Sequence, residues 1–441
     1  MISNREVLAK TPARETALAC LEAGIEAAHP KTVIHERMAL HEDDDTLEIE
    51  GTTYDLSEYE EIVAVGGGKA AAQVAVALES LLGERIDRGA VVTNDPEETA
   101  RIDVLSGDHP VPSERGVEST RRVLELAEEA GENTLILAVV TGGASALLPA
   151  PAEGIPLGDV QSVTRTLLDS GADIDDINAV RKHCSTLKGG RFVQKASPAT
   201  VVGLLFSDVV GDDPSTIGSG PTAPDETSFA DALSVIDRYG LESDEGSPIR
   251  TRLERGDDGD VTETPGPDDS IFERVTNHVL ATNLTALRAA REAAEDRDYD
   301  AMILSSRIRG EARESAKTHV GIAEEILATE NPLSPPAVLL SGGETTVSVR
   351  GDGTGGPNLE FALGSLLTLG GEVTVASVDT DGKDGSTDAA GALVDAGTRT
   401  GDGAKALRKN DSYRFLKSVD ALVETGATGT NVNDLRILVV E

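Results

Sequence analysis

Lys69 stands directly after three glycines, in the run Ile62-Val-Ala-Val-Gly66-Gly67-Gly68-Lys69-Ala-Ala-Ala. A short apolar stretch, a glycine turn and an alanine-rich helical pattern predict a strand, a tight turn and a helix N-terminus. Glycines let a ligand approach the main chain, and a helix start presents N–H groups to an anion. Lys69 adds a mobile cation at the same point, in a chain of formal net charge −39. Gly66-x-Gly68-x-x-Ala71 formally satisfies the dinucleotide fingerprint, but a lysine inside it is unusual, and no GxxxxGK[ST] phosphate loop occurs. A glycine turn that only packs a helix on a strand would need no ligand.

The pattern recurs. Thr141-Gly142-Gly143-Ala144-Ser145, Ser341-Gly342-Gly343-Glu344-Thr345 and Ser377-Val-Asp379-Thr-Asp381-Gly-Lys383-Asp384-Gly each follow an apolar run. In parallel α/β sheets ligands bind beyond the carboxyl ends of strands, so several Gly/Ser/Thr turns there suit a polyanion held by main-chain N–H groups. Arg181, Lys182, His183, Lys188 and Arg191 crowd cations into one segment of an acidic protein. On one continuous helix over 175–195, Arg181, Lys188 and Arg191 would share a face. An anion site is favoured there over a solvated face. Asp208 follows an apolar strand and suits Mg²⁺ coordination or acceptance of a hydroxyl proton. Asp379 and Asp381, with Asp384 and Asp388, fail the Ca²⁺ EF-hand spacing. They fit Mg²⁺ carried on nucleotide phosphates, or a decorated turn. No G-x-S-x-G elbow is present, Ser145 has no local base, and His109 and His183 read as structural or substrate hydrogen-bonding groups.

The elements that must position these residues alternate. Strands are predicted at 47–49, 62–65, 89–93, 134–141 and 200–207, with helices at 11–29, 69–82, 113–130, 157–171 and 175–195. A polar, Gly/Pro-rich excursion over 241–270 lies close to a domain boundary. A second series follows, with strands at 276–281, 300–304, 337–341, 345–349, 372–378 and 435–440 and helices at 283–297, 309–329 and 358–369. Residues 337–349 read as a hairpin. This alternation predicts an α/β protein with a mostly parallel sheet covered on both faces.

Composition bounds the rest. Acids number 78 against 39 Lys+Arg, spread along the chain, and aromatics make up only 2%. Such a surface suits molar salt, where the Debye length falls to about 3 Å, and predicts a halophilic source. It argues against nucleic acid or an anionic membrane as partner. Two cysteines without metal spacing, no run near the roughly 20 apolar residues of a membrane span, and no signal-peptide pattern predict a cytoplasmic protein. The oligomeric state stays open, a homodimer being one option.

Ordered blocks from about residue 60 to the C-terminus resemble the glycerate 2-kinase family, whose members carry a MOFRL C-terminal domain. They are Val-Gly-Gly-Gly-Lys-Ala, Gly107-Asp-His-Pro-Val-Pro112, Thr-Gly-Gly-Ala-Ser-Ala-Leu, Asn-Ala-Val-Arg-Lys-His, Ser-Asp-Val-Val-Gly-Asp-Asp with Ser219-Gly-Pro-Thr222, Leu-Ser-Gly-Gly-Glu-Thr-Thr-Val, Thr-Asp-Gly-Lys-Asp-Gly-Ser-Thr-Asp and Thr-Gly-Thr-Asn-Val-Asn-Asp-Leu. The resemblance implies ATP-dependent phosphorylation of D-glycerate to 2-phosphoglycerate with Mg²⁺. It implies a Rossmann-like domain over 1–260 and a smaller α/β domain with a mixed sheet over 271–441, facing each other across an active-site cleft. It assigns Lys69 a catalytic or phosphate-stabilising role. Substrate or phosphate contacts would come from Gly66, Gly67, Gly68, Ser145, Arg181, Lys182, Lys188 and Arg191, and metal contacts from Asp208, Asp379 and Asp381. Where the family reads Gly-Gly-Arg-Asn-Gln-Glu, this chain reads Gly355-Gly356-Pro357-Asn358-Leu359-Glu360. That places Asn358 and Glu360 in the candidate site and removes an arginine, for which Lys182, Lys188 or Arg191 could substitute. The alternatives are a nicotinamide-dependent hydroxypyruvate reductase and a non-catalytic sugar-acid or nucleotide binder.

Overall fold

The computed structural model describes residues 1–241 and 247–441, which divide into two compact units: 33–280, and 1–32 together with 281–441.

The first unit opens with an antiparallel meander, β1 (Met38–His41), β2 (Thr46–Ile49) and β3 (Thr52–Asp55). Its main sheet contains β4 (Glu61–Gly67), β5 (Arg88–Thr93), β6 (Ile102–Ser106), β7 (Thr134–Val140), β8 (Thr200–Phe206) and β9 (Val275–Ala281), in the order β6-β5-β4-β7-β8-β9. The β4–β5, β5–β6, β4–β7 and β7–β8 pairs are parallel. Every residue of β7 is buried, as expected where helices cover both faces. The chain builds β5 and β6 on one side of β4, then returns to lay β7 and β8 on the other. The ends of β4 and β7 therefore form a topological switch point, where open α/β sheets bind ligands.

The second unit has a six-stranded mixed sheet: β10 (Asp300–Ile308), β11 (Ala337–Gly343), β12 (Val373–Asp379), β13 (Gly391–Asp395), β14 (Leu422–Val423) and β15 (Asp434–Val440). Its order is β10-β11-β15-β12-β13-β14, with only β10–β11 parallel. The helix Pro12–Ala27 buries Leu18, Leu21 and Ile25 in one core with Leu435 and Ile437 of β15. Gly24 makes this possible, since a Cβ there would lie 2.9 Å from the Ala286 carbonyl oxygen on helix Asn283–Glu295.

Several expectations need correction. A first domain over 1–260 leaves out this docking: residues 1–32 pack with the C-terminal unit, because the apolar stripe of their helix covers its sheet. The strand expected at 276–281 is the edge β9 of the first sheet, not the start of the second series. Residues 345–349 form no strand, only an isolated bridge between Thr346 and Glu311, and the antiparallel neighbour of β11 is β15. The excursion over 241–270 contains the helix Pro248–Asp257, and residues 242–246 lie outside the described part. Among the described residues no helix is long and apolar enough to cross a membrane.

Candidate functional site

At the switch point the glycine turn is shaped by the chain itself. Gly66 and Gly68 adopt φ of 145° and 137°, and a Cβ would fall 1.9 Å from the Val139 carbonyl oxygen and 2.1 Å from Thr141 Oγ1 respectively. A Cβ on Gly67 would lie 2.8 Å from the Val92 carbonyl oxygen. These glycines let β4 pass between β5 and β7. Their amides are occupied too. Gly68 N–H donates to Val92 O (2.9 Å), Lys69 N–H to Gly142 O (2.8 Å), Ala70 N–H to Thr141 Oγ1 (3.1 Å) and Ala71 N–H to Gly68 O (3.2 Å). The expectation that this turn cradles an anion with main-chain N–H groups is therefore corrected, and Gly66, Gly67 and Gly68 serve as scaffold. The Lys69 side chain is what the turn presents.

Around Lys69 the β7 turn supplies neighbours. A Cβ on Gly143 would lie 3.0 Å from His109 Cδ2 and 3.2 Å from Lys69 Cγ, so both side chains press against that glycine. Gly143 N–H donates to Asp208 Oδ2 at 3.2 Å, which brings the carboxylate after β8 to the same turn. Lys69, His109 and Asp208 thus gather where β4, β7 and β8 end.

The cationic segment is not one helix. It runs from Ile174 to His183, breaks, and resumes at Arg191–Ala196, because Gly189 and Gly190 take φ of 58° and 74°. The break separates the residues expected to share a face. Arg191 turns away and donates to Thr262 O at 3.1 Å. Lys182 is buried and ion-paired with the buried Asp225 at 3.0 Å, so its charge is already neutralised. Arg181 and Lys188 come together. Lys188 is 5% exposed and its Nζ donates to Leu148 O at 3.2 Å. Burial, then the neighbouring Arg181, pull its ammonium from 10.5 down to about 7. Burial alone lowers the Arg181 guanidinium to about 10. Among the described residues no carboxylate pairs with either. A buried ammonium beside a half-buried guanidinium, with no acid to balance them, is costly unless an anion joins them.

Ser145, three residues before Leu148, lies 2.8 Å from Ser219 Oγ, which in turn donates to Asn178 Oδ1 at 3.0 Å. Asn178 sits on the helix that carries Arg181. Asn178 and Ser219 were not among the candidate site residues, and His109 entered only as a structural or substrate hydrogen-bonding group. The Gly107–Pro112, Asn178–His183 and Ser219–Thr222 blocks were the only signal for them.

In the second unit Asn358 and Glu360 belong to a buried polar network. Asn358 Nδ2 donates to Asp434 Oδ1 (2.6 Å), and its Oδ1 accepts from Ser377 Oγ (2.6 Å). Asp384 caps the helix Pro357–Leu366 by accepting the N–H of Asn358 (3.0 Å) and Leu359 (2.9 Å). Burial raises its carboxyl to about 7. Glu360 accepts from Asn410 Nδ2 at 2.6 Å and is 1% exposed. Asn358, fully buried and bonded on both amide atoms, has no room for a substrate; this corrects its assignment, and Glu360 is likewise a core group. Asp379 Oδ1 accepts Asp381 N–H at 3.1 Å and Asp381 Oδ1 accepts Lys383 N–H at 2.8 Å, tying the two acids into a turn. Among the described residues no three acids, histidines or cysteines cluster as a metal site.

The fold and site define a protein of two α/β units, the first carrying Lys69 and Asp208 at its switch point and an Arg181–Lys188 pair with no acid partner among the described residues. Residues 16–254 match a family model described as a domain of unknown function, DUF4147, and residues 337–434 match the MOFRL family. The D-glycerate 2-kinase of Thermotoga maritima is 41% identical, over 85% of this chain and 90% of its own. The glycerate 2-kinase of Pyrococcus horikoshii is 37% identical over 97% of both chains. The crystal structure of glycerate kinase from Thermotoga maritima superposes with a TM-score of 0.83 at 36% identity, over 97% of this chain and 99% of that one. This chain belongs to the glycerate 2-kinase family with a MOFRL C-terminal domain.

Proposed function

We infer that this protein transfers the γ-phosphoryl group of ATP to the C2 hydroxyl of D-glycerate. The observation that carries the reading is the buried Lys188 beside the half-buried Arg181, without an acid partner among the described residues, joined through Leu148 to the turn that holds Ser145 and lies against Lys69. A carboxylate seated there would receive charge-assisted hydrogen bonds from two donors in a site that excludes water. The 2-hydroxyl would then face the turn that carries Asp208, the group suited to accept its proton. Lys69 would neutralise charge developing on the moving phosphoryl group, and positioning with electrostatic stabilisation would supply most of the rate. Mg²⁺ fits this donor set, because it is commonly bound by one or two carboxylates plus nucleotide oxygens rather than by a protein cage. Asp208 is the proposed protein ligand here, and Asp379 and Asp381 the proposed ligands in the second unit; the ion would neutralise phosphate charge. Pro357 leaves the helix start of the second unit without the family's arginine.

The purified protein, given ATP, Mg²⁺ and D-glycerate in high KCl, should yield 2-phosphoglycerate by ³¹P NMR. A 3-phosphoglycerate product would sink the regiochemistry. Failure to form any phosphoester, or NADH oxidation with hydroxypyruvate, would sink the kinase reading. Salt adaptation is part of the same proposal: with a net charge of −39, the melting temperature should rise steeply between low and molar KCl.

A further inference from the structure

Ser219, in the segment that follows β8, is a non-glycine residue held in the left-handed region, at φ 64°, and it is fully buried. A serine tolerates that conformation only where its surroundings demand it. Its carbonyl accepts the Gly189 N–H at 3.0 Å, directly after Lys188, while its hydroxyl lies between Ser145 and Asn178. One residue thereby ties the loop of Lys188 and the helix of Arg181 to the Ser145 turn.

A hydroxyl has a single proton. Ser219 gives its proton to Asn178 Oδ1 at 3.0 Å, so the 2.8 Å contact with Ser145 must be filled by the Ser145 proton. Ser145, half-buried at the surface of the turn, is left with lone pairs only. It can accept a hydrogen bond from a ligand and cannot donate one. The reacting hydroxyl must lose its proton to a base, which the neutral serine is not, so Ser145 suits a hydroxyl that does not react.

We propose that Ser145 selects the substrate by accepting the non-reacting hydroxyl of a 2,3-dihydroxy acid, with Ser219 and Asn178 fixing its proton so that 3-deoxy acids are disfavoured. This rests on the kinase reading above. A site built to pair a hydroxyl rejects the analogue lacking it because a buried polar group is then left unpaired.

The test compares D-glycerate with D-lactate, its 3-deoxy counterpart, in the wild type, Ser145→Ala and Ser219→Gly. Both ATP-dependent turnover and calorimetric binding are measured. The wild type should prefer glycerate by at least about 10²-fold in kcat/KM and in Kd. In Ser145→Ala glycerate should fall about 10-fold or more while lactate stays within about threefold, so the preference collapses. Ser219→Gly suits the backbone angle and keeps the fold. It frees the Ser145 proton, and the preference should drop about fivefold or more with little change in melting temperature. A glycerate/lactate ratio unchanged in Ser145→Ala, whether both acids weaken together or neither does, overturns the proposal. If the wild type binds glycerate without phosphorylating it, the kinase reading falls, and the Kd ratios alone uphold or overturn the role of Ser145.

Discussion

Lys188→Met trades activity for stability, and the size of the trade depends on pH. The ammonium falls from 10.5 to about 7 on folding. Between those values the unfolded chain binds more protons than the folded one, so wild-type stability rises with pH across that window. A displacement of about 3.5 units at about 1.4 kcal/mol each sets the penalty near 5 kcal/mol below pH 7. At pH 9 about 1.5 units remain, or about 2 kcal/mol. Methionine fills similar volume without charge, at the cost of leaving Leu148 O unpaired, about 1–3 kcal/mol at either pH. The variant should therefore gain about 3 kcal/mol more, relative to wild type, at pH 6 than at pH 9. Activity should move the other way. An anion on Arg181 and Lys188 favours the charged lysine, so wild-type kcat/KM for glycerate should decline about tenfold per pH unit above 7. Lys188→Met should lose about 10²-fold or more in kcat/KM and show no such limb. Denaturant unfolding at the two pH values in constant KCl, with kinetics on the same samples, measures both. A stability difference equal at pH 6 and 9, or a variant retaining near-normal kcat/KM, refutes an unpaired buried cation at this site.

Other outcomes follow from the same geometry. Lys69→Ala should abolish turnover while leaving the melting temperature nearly unchanged; near-normal kcat removes Lys69 from the mechanism. Asp384, raised from 3.8 to about 7, makes stability fall as pH rises from about 4 to 7, since there the folded state holds the extra proton. Asp384→Asn should flatten that slope in denaturant melts. Leu21→Ala, emptying a fully buried position, should cost about 2–5 kcal/mol and lower the melting temperature of the C-terminal unit. Removing Mg²⁺ with EDTA should stop phosphoryl transfer while calorimetry still detects glycerate binding.

Period and punctuation made most elements legible. The apolar runs within 134–140 and 200–206 could be little but covered parallel strands, and Gly66–Lys69 marked the turn at the end of β4. Three things were not legible, each because the deciding contact is distant in sequence. An amphipathic stripe on residues 12–27 says that a sheet covers it, not which sheet. Helical register over 175–195 ignored two adjacent glycines in the left-handed region, Gly189 bonded to the Ser219 carbonyl and Gly190 packed against Phe272. Turn amides at 68–70 looked available because their acceptors lie far along the chain, Val92 on β5 and Thr141 and Gly142 in the turn after β7. In the second unit, Asn358 and Glu360 entered the candidate site through the family motif at Gly355–Glu360, and a motif does not say which of its residues are buried in the core.

The position of β15 has a consequence for how the molecule is made. It is the last strand of the chain, yet it lies between β11 and β12 with every residue buried, and the first long helix packs on it. During synthesis residues 33–280 can complete their sheet as they emerge, while the helix Pro12–Ala27 must wait for Asp434–Val440 before it meets its partner. A truncation that removed Asp434–Val440 would take out the centre of a sheet rather than an edge, leaving the first unit complete and the second unsealed.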